Sequence, residues 1–305
     1  MALSIYNNLM ANTAQRNLGT AYGKLGQSVQ RLSSGLRVNS AADDAAGLAI
    51  RELMRAEIAG LNQGVRNAND AISLIQTADG ALGVIDEKLI RMKELAEQAA
   101  TGTYTAGQRL MIESEYQQMA SEITRIANST DFNGIKLLDG SLSGEHKGDG
   151  SGIGRDGTSD GLSSTGELKV HFGTTNSSAE DYYYIKIDNA TASALGVGNS
   201  AADGPGKTVS TQQAAQEALE GITSAINKKD QIRAHLGALQ NRLENTVSVL
   251  QIQAENLQAA ESRISDTDVA LEMTNFVRNQ ILTQAAVSML SQANSLPQMA
   301  LSLIQ

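Results

Sequence analysis

Cysteine and tryptophan are absent from this 305-residue chain, proline occurs only at Pro205 and Pro297, and aromatics make up 3% of it. Without thiols there is no disulfide framework, no thiolate metal site and no cysteine nucleophile. Few large rings leave little material for a round, deeply packed core or for the apolar lining of a small-molecule pocket. The scarcity of proline leaves long stretches free of helix breakers. Basic residues are also short: 24 Lys and Arg stand against 33 Asp and Glu, a net charge of -9 with no basic patch, which argues against nucleic acid as a partner.

Charge of either sign thins out at both ends. Residues 1–32 hold no acid and only Arg16, Lys24 and Arg31 as bases, and the 27 residues from Asn279 to Gln305 hold no charged side chain. The opening MALSIYNNLMANTAQRNL lacks the charged, then apolar, then small-residue order of a cleavable signal, so any exit from the cell is expected by another route. Gln280, Gln284, Ser288, Gln292, Asn294 and Gln298 interrupt the C-terminal stretch too often for a membrane span of about 20 apolar residues. What the ends do carry is periodicity. Leu18, Tyr22, Leu25, Val29, Leu32 and Leu36 alternate steps of four and three, the seam of a helix packed on another helix. Leu296, Met299, Ala300, Leu303 and Ile304 form a second apolar stripe that something must cover.

Between the ends lie longer runs. From Met54 through Ile58, Leu61, Val65, Ile72, Ile75, Leu82, Ile85, Leu89 and Met92 to Ala99 the apolar steps are three or four without a break, predicting a helix of about 57 residues from Asp43, roughly 85 Å long. A Gly/Thr-rich turn at TGTYTAG precedes Ile112, Tyr116, Met119, Ile123 and Ile126, a shorter antiparallel return. A third run, from Ile232 through Leu236, Leu239, Leu243, Val247 and Leu250 to Ile264, can complete a bundle with the other two. Residues 141–166 are dense in Gly and Ser and read as a surface insert, while LKVHF (168–172) and YYYIKI (182–187) read as a β-hairpin spanning 168–187. The expected fold is mainly α: long antiparallel helical rods in a coiled-coil-like bundle with a small β-hairpin insert.

Chemistry-bearing patterns are weak. GIGRDG at 152–157 fits G-x-G-x-x-G, but no strand precedes it and no apolar helix follows. A calcium loop from Asp149 lacks its bidentate Glu, and His146, His171 and His235 share no ligand spacing. Asp43 and Asp44 are adjacent carboxylates, yet Ser40-x-x-Asp43 has the grammar of a capping box ahead of the long helix, repeated at Ser265-x-x-Asp268 before the terminal one. No catalytic, metal or cofactor site is expected.

LSSGLRVNSAADDAAGLAI, NQGVRNANDAISLIQTADGAL, IRMKELAEQA, DFNGIKLLDG and LGALQNRLENTVSVLQIQAENLQAAESRISDTDVALEM resemble bacterial flagellin over about 1–140 and 165–305. The resemblance implies a subunit of the extracellular flagellar filament that is exported unfolded through the flagellar secretion channel and polymerises with copies of itself. It implies a discontinuous terminal helical domain, 1–42 with 265–305, and a rod domain, 43–140 with 167–264, leaving only 141–166 as an outer excursion. The terminal assembly interface would draw on Leu18, Leu25, Val29, Leu32, Leu296, Met299, Leu303 and Ile304. Partners implied are the export apparatus, a secretion chaperone on the segment after Ser265, filament cap and junction proteins, and Toll-like receptor 5, with Arg91, Leu95 and Glu115 in the positions of its contacts. Helix caps are expected at Ser40, Asp43, Ser265 and Asp268. A hook–filament junction protein of the same family is the alternative, and a non-flagellar secreted coiled-coil or translocator protein a distant third.

Overall fold

A computed structural model describes residues 8–143, 166–177, 181–198 and 206–302, with the side chains at 296–298 and 300–302 left out. Along the described chain run α1 (Leu9–Ser34), α2 (Ala45–Ala100), α3 (Ala106–Ser129), β1 (Asp131–Phe132), β2 (Ile135–Lys136), β3 (Leu168–His171), β4 (Tyr182–Ile185), α4 (Ala192–Leu195), α5 (Gln212–Ser265) and α6 (Val269–Ser302). Two compact units divide the chain, one made of Met1–Ala59 with Ala254–Gln305 and one of Gly60–Gln253, so α2 and α5 contribute to both. No helix among the described residues is long and apolar enough to cross a membrane. The insert beyond residues 141–143 and 166, and with it GIGRDG, the Asp149 loop and His146, lies outside the described residues.

The Gly60–Gln253 unit is a three-helix core. The seam predicted for α2 is buried from Leu74 and Ile75 through Leu82, Ile85, Leu89 and Met92 to Ala99, packed with Ile112, Tyr116 and Ile123 of α3 and Ile222, Ile232 and Leu236 of α5. Contacts Arg91–Glu115 and Arg109 Nε to the Ala99 carbonyl run α3 antiparallel to α2. Asp79–Arg233 and Asp86–Lys229 do the same for α5. The Lys229 ammonium, only 2% exposed, lies 2.6 Å from Asp86 Oδ1 and 2.7 Å from Asp230 Oδ1, so the desolvated charge is neutralised by carboxylates on both helices. Thr105 opens α3 with a reciprocal cap, its hydroxyl accepting the Gln108 N–H while Gln108 accepts the Thr105 N–H.

The strands cover this core. β3 and β4 pair antiparallel as the expected hairpin, with Leu168 opposite Ile185 and His171 opposite Tyr182. Val170 and Ile185 turn inward, and Arg242 of α5 stacks 3.6 Å over the Tyr183 ring. The hairpin approaches α2 so closely that a Cβ on Gly64 would sit 1.9 Å from the Phe172 carbonyl oxygen, while Asn67 Nδ2 donates to the His171 carbonyl at 2.8 Å. β1 and β2 form a second hairpin whose two-residue turn, Asn133 (φ 51°) and Gly134 (φ 79°), occupies the left-handed region. Asn-Gly suits a type I′ turn for that reason, and the turn delivers Leu137 and Leu138 to the core.

Candidate functional site

In the other unit α1 lies antiparallel to α6: Asn8 Nδ2 donates to the Ala293 carbonyl at 2.8 Å, Asn279 Nδ2 meets Ser28 Oγ at 3.5 Å, and Arg31 reaches Glu272 at 3.9 Å. The seam of α1 is not the predicted one throughout. Leu18, Leu25 and Leu32 are partly covered by α6, but the positions alternating with them are Ala14, Ala21 and Ser28, and Tyr22 and Val29 are exposed on the adjoining face. Small residues let the two backbones approach, so the inward register follows side-chain size as well as apolarity.

α6 turns a mixed stripe toward its partner, with Phe276, Ala286 and Leu290 half-buried beside its polar residues. Glu272, Thr283 and Ala293 are buried and Asn279 is half-buried, with the Thr283 hydroxyl satisfied by the Asn279 carbonyl at 2.7 Å. Val269, Leu271, Val277, Ile281, Leu282, Val287 and Met289 are exposed instead. Between the helices runs a groove of about 760 Å³ lined by Leu9, Met10, Ala14, Leu282, Ala286 and Met289 among others, with Lys24 as its only charged side chain among the described residues. Leu9 is 72% exposed and Met289 64%, values far from those of a finished core. Of the predicted interface residues at the end, Leu296 and Met299 fall in α6, with Met299 half exposed, and Leu303 and Ile304 lie outside the described residues.

Both connections to this helix pair are clasped together, which the sequence did not announce. Leu36 and Asp266 form an antiparallel bridge; the Arg37 N–H donates to the Ser265 carbonyl at 2.6 Å and the Thr267 N–H to the Gly35 carbonyl at 3.0 Å. Arg37 Nη2 also donates to the Ile264 carbonyl at 2.6 Å. Gly35 takes φ 72°, ending α1 with the left-handed geometry glycine accepts. Arg51, buried, donates from Nη1 to the Val38 carbonyl at 2.9 Å and pairs with Glu52, closing the segment over Val38.

The expected caps are redistributed within this clasp. Asp268 caps α6, its Oδ1 accepting the N–H groups of Ala270 and Leu271 at 2.9 and 3.1 Å. Ser265 instead ends α5, fully buried, and its hydroxyl donates to Asp266 at 2.9 Å. The residue that starts α2 is Asp44, whose Oδ1 accepts the Gly47 N–H at 2.9 Å, not Asp43. Asp43 closes the preceding turn: its Oδ2 accepts the Ser40 and Asn39 N–H groups at 3.0 and 3.2 Å and the Ser40 hydroxyl at 3.2 Å. Those backbone donors, Ser40 first, hold its carboxyl below the usual aspartate value. Two adjacent acids thus divide the work between a turn and a helix start.

The three candidate receptor-contact residues part company. Arg91 is half exposed and its guanidinium bonds Glu115 at 2.7 Å and Glu94 at 2.8 Å, contacts that raise its pKa further. Leu95, by contrast, is 1% exposed inside the three-helix core, so it supports that surface from beneath and cannot be touched on it. Its seam position after Leu89 and Met92 dictates burial. No group of three His, Asp or Glu side chains able to hold a metal occurs among the described residues.

Residues 5–143 match the family described as the bacterial flagellin N-terminal helical region, and residues 219–304 match the bacterial flagellin C-terminal helical region. The chain is 39% identical over 301 residues to flagellin FlaB1 of Treponema pallidum (strain Nichols), covering 99% of each chain. It is 40% identical over 301 residues to a flagellin of Halalkalibacterium halodurans, again at 99% of each. With the flagellar filament 33 kDa core protein of Treponema phagedenis it shares 40% identity over 307 residues, at 99% of each.

Proposed function

Because the chain belongs to the bacterial flagellin family and is a structural subunit of the flagellar filament, we propose that α1 and α6 are its assembly domain, completed only by neighbouring copies. One observation carries this reading: on these two helices many large apolar side chains, Val29, Leu271, Ile281 and Val287 among them, face out, and the groove between the helices stays open. A helix pair with so little of its apolar surface covered is marginal alone, because ordering a helix costs backbone entropy that only packing offsets. Faces of Ala, Gln, Ser and Asn without charge stack on copies of themselves with no ion desolvation and no like-charge repulsion. The terminal domain then comprises 1–42 and 265–305, the rod domain 43–140 and 167–264 with the 168–187 hairpin, and 141–166 is a surface insert.

Before assembly the same faces need cover. A secretion chaperone on the segment after Ser265, including ILTQAAVSMLSQAN, serves that purpose, and the subunit leaves through the flagellar export apparatus to its extracellular place. Cap and junction proteins bound the polymer at its ends. Arg91 and Glu115, which are exposed, present a contact to Toll-like receptor 5. A reporter-cell assay with Arg91→Ala checks the last point: an unchanged response removes it. The assembly reading is tested by hydrogen exchange. In dilute subunit the amides of α1 and α6 exchange freely while those of α2, α3 and α5 are protected, and in seeded filaments all five are protected. Protection of both end helices in dilute monomer overturns it.

A further inference from the structure

The groove of α1 and α6 holds two thioethers. Met10 on one helix and Met289 on the other both line it, and they are 53% and 64% exposed in the single chain. Their companions there are Leu9, Ala14, Leu282, Ala285 and Ala286, surfaces suited to an apolar neighbour, with Thr13, Asn17, Asn279 and Gln292 as polar residues along the same groove. The chain has no cysteine or tryptophan, so methionine is its foremost side chain for two-electron oxidants, with no thiol to intercept them. Met92, fully buried in the Gly60–Gln253 core, shows what a shielded thioether looks like in the same molecule, and Met111, 76% exposed on α3, shows an open one away from the groove.

We propose that Met10 and Met289 are a modification site at which a peroxide-class oxidant reports on, and blocks, the unassembled subunit. The peroxide transfers one oxygen atom to the thioether sulfur; its O–O bond breaks, an S–O bond forms, sulfur loses two electrons and the peroxide is reduced to water or alcohol. The product is a polar, chiral sulfoxide where a flexible apolar side chain stood. In a groove that a second copy must enter, the sulfoxide replaces flexible apolar surface with a polar group that must be desolvated and no longer matches an apolar neighbour, which opposes docking. Once a neighbour is seated, the two sulfurs are covered and the filament is resistant. The inference rests on the assembly reading above, since it takes a second copy as the occupant of the groove.

The test uses the full chain and hydrogen peroxide. Free subunit is treated briefly, sulfoxides are located by peptide mass spectrometry, and elongation from untreated filament seeds is followed by electron microscopy. Met10 and Met289 should oxidise at rates near that of Met111, with Met92 at least 10-fold slower, and elongation should fall about 10-fold or more. Methionine sulfoxide reductases of both epimer classes should restore it. Preformed filaments should show at least 10-fold slower oxidation at the two groove positions. In a Met10→Leu/Met289→Leu chain, whatever its untreated rate, the treated-to-untreated ratio should approach one. Equal oxidation rates in subunit and filament, undiminished elongation after oxidation, or a double variant as sensitive as the parent each overturn the proposal. Untreated subunit that fails to elongate at all would instead remove the assembly reading beneath it.

Discussion

In the Gly60–Gln253 unit the apolar seam of α2 from Leu74 to Ala99 disappears into contacts with α3 and α5, whereas in the unit of the two chain ends Val38, Ala254 and Ala293 are the buried hydrophobics among the described residues. Both units consist mainly of striped helices, although those of the chain ends carry far fewer charges. Periodicity says that apolar residues share a face; it does not say whether the same chain supplies the cover. The first unit closes on itself, and the second presents Leu271, Ile281 and Met289 to whatever comes next.

The largest test of that contrast removes the open unit's helices. A chain limited to residues 45–265 should keep a cooperative thermal transition, because the core of α2, α3 and α5 is intact, and should lose polymerisation altogether. Circular dichroism on heating and electron microscopy of seeded mixtures read the two halves of the claim. Normal filaments from the trimmed chain would break the comparison outright.

Matched leucine truncations sharpen it. Leu89 is fully buried, so Leu89→Ala should cost about 2–5 kcal/mol in urea unfolding through lost burial and a cavity. Leu25 on the α1 seam is only half-covered, so Leu25→Ala should cost the monomer about 1 kcal/mol or less, while slowing filament growth. Equal losses at the two sites in dilute subunit would show that the terminal pair is packed as tightly as the core.

How far the sequence reached follows the same division. The α2 seam was legible because its apolar residues are large, and helix, stripe and burial coincide there from Leu74 to Ala99. The 168–187 hairpin was legible from two short β-prone runs, LKVHF and YYYIKI, on either side of a polar loop. On α1 the reading favoured Tyr22 and Val29 over Ala21 and Ser28, since hydrophobicity outranked size, and size decides which side of a close helix pair faces in. The Asp131–Lys136 hairpin went unread although its Asn133-Gly134 turn is a strong local signal. Leu95 was matched to the receptor contacts by likeness to relatives alone, and the structure buries it beside the Met92 and Ala96 seam. The clasp of Leu36 with Asp266 joins residues 230 apart, and no local pattern announces such a pairing.

The buried ion pair gives the next smaller effect. Lys229→Ala leaves Asp86, itself partly shielded, facing α5 without its ammonium at 2.6 Å, and should lower the unfolding free energy by about 2–3 kcal/mol. Lys229→Met, which keeps the stem's packing, should lose less than Lys229→Ala. A urea series with both variants decides between charge and stem: identical losses would assign the whole effect to the missing charge.

The smallest expected effect lies in the open unit, at the turn before α2. Hydrogen bonds from the Ser40 and Asn39 N–H groups depress the Asp43 carboxyl below 3.8. A group whose folded pKa is depressed stabilises fully above its unfolded value and loses that contribution as pH falls through the folded one. The turn at 40–43 should therefore be intact at neutral pH and loosen only below about pH 3.8, with Ser40 and Asn39 amide shifts titrating together in NMR. Asp181 in the closed unit is held down in the same sense, by the Thr175 hydroxyl and then the Ser177 N–H, and serves as an internal reference. Asp43→Asn should abolish the shared titration at Ser40 and Asn39 and leave that of Asp181 in place. A midpoint for Asp43 at or above 3.8 would mean that the carboxylate is not held by these donors in solution, and that the open unit is looser at this turn than its hydrogen bonds imply.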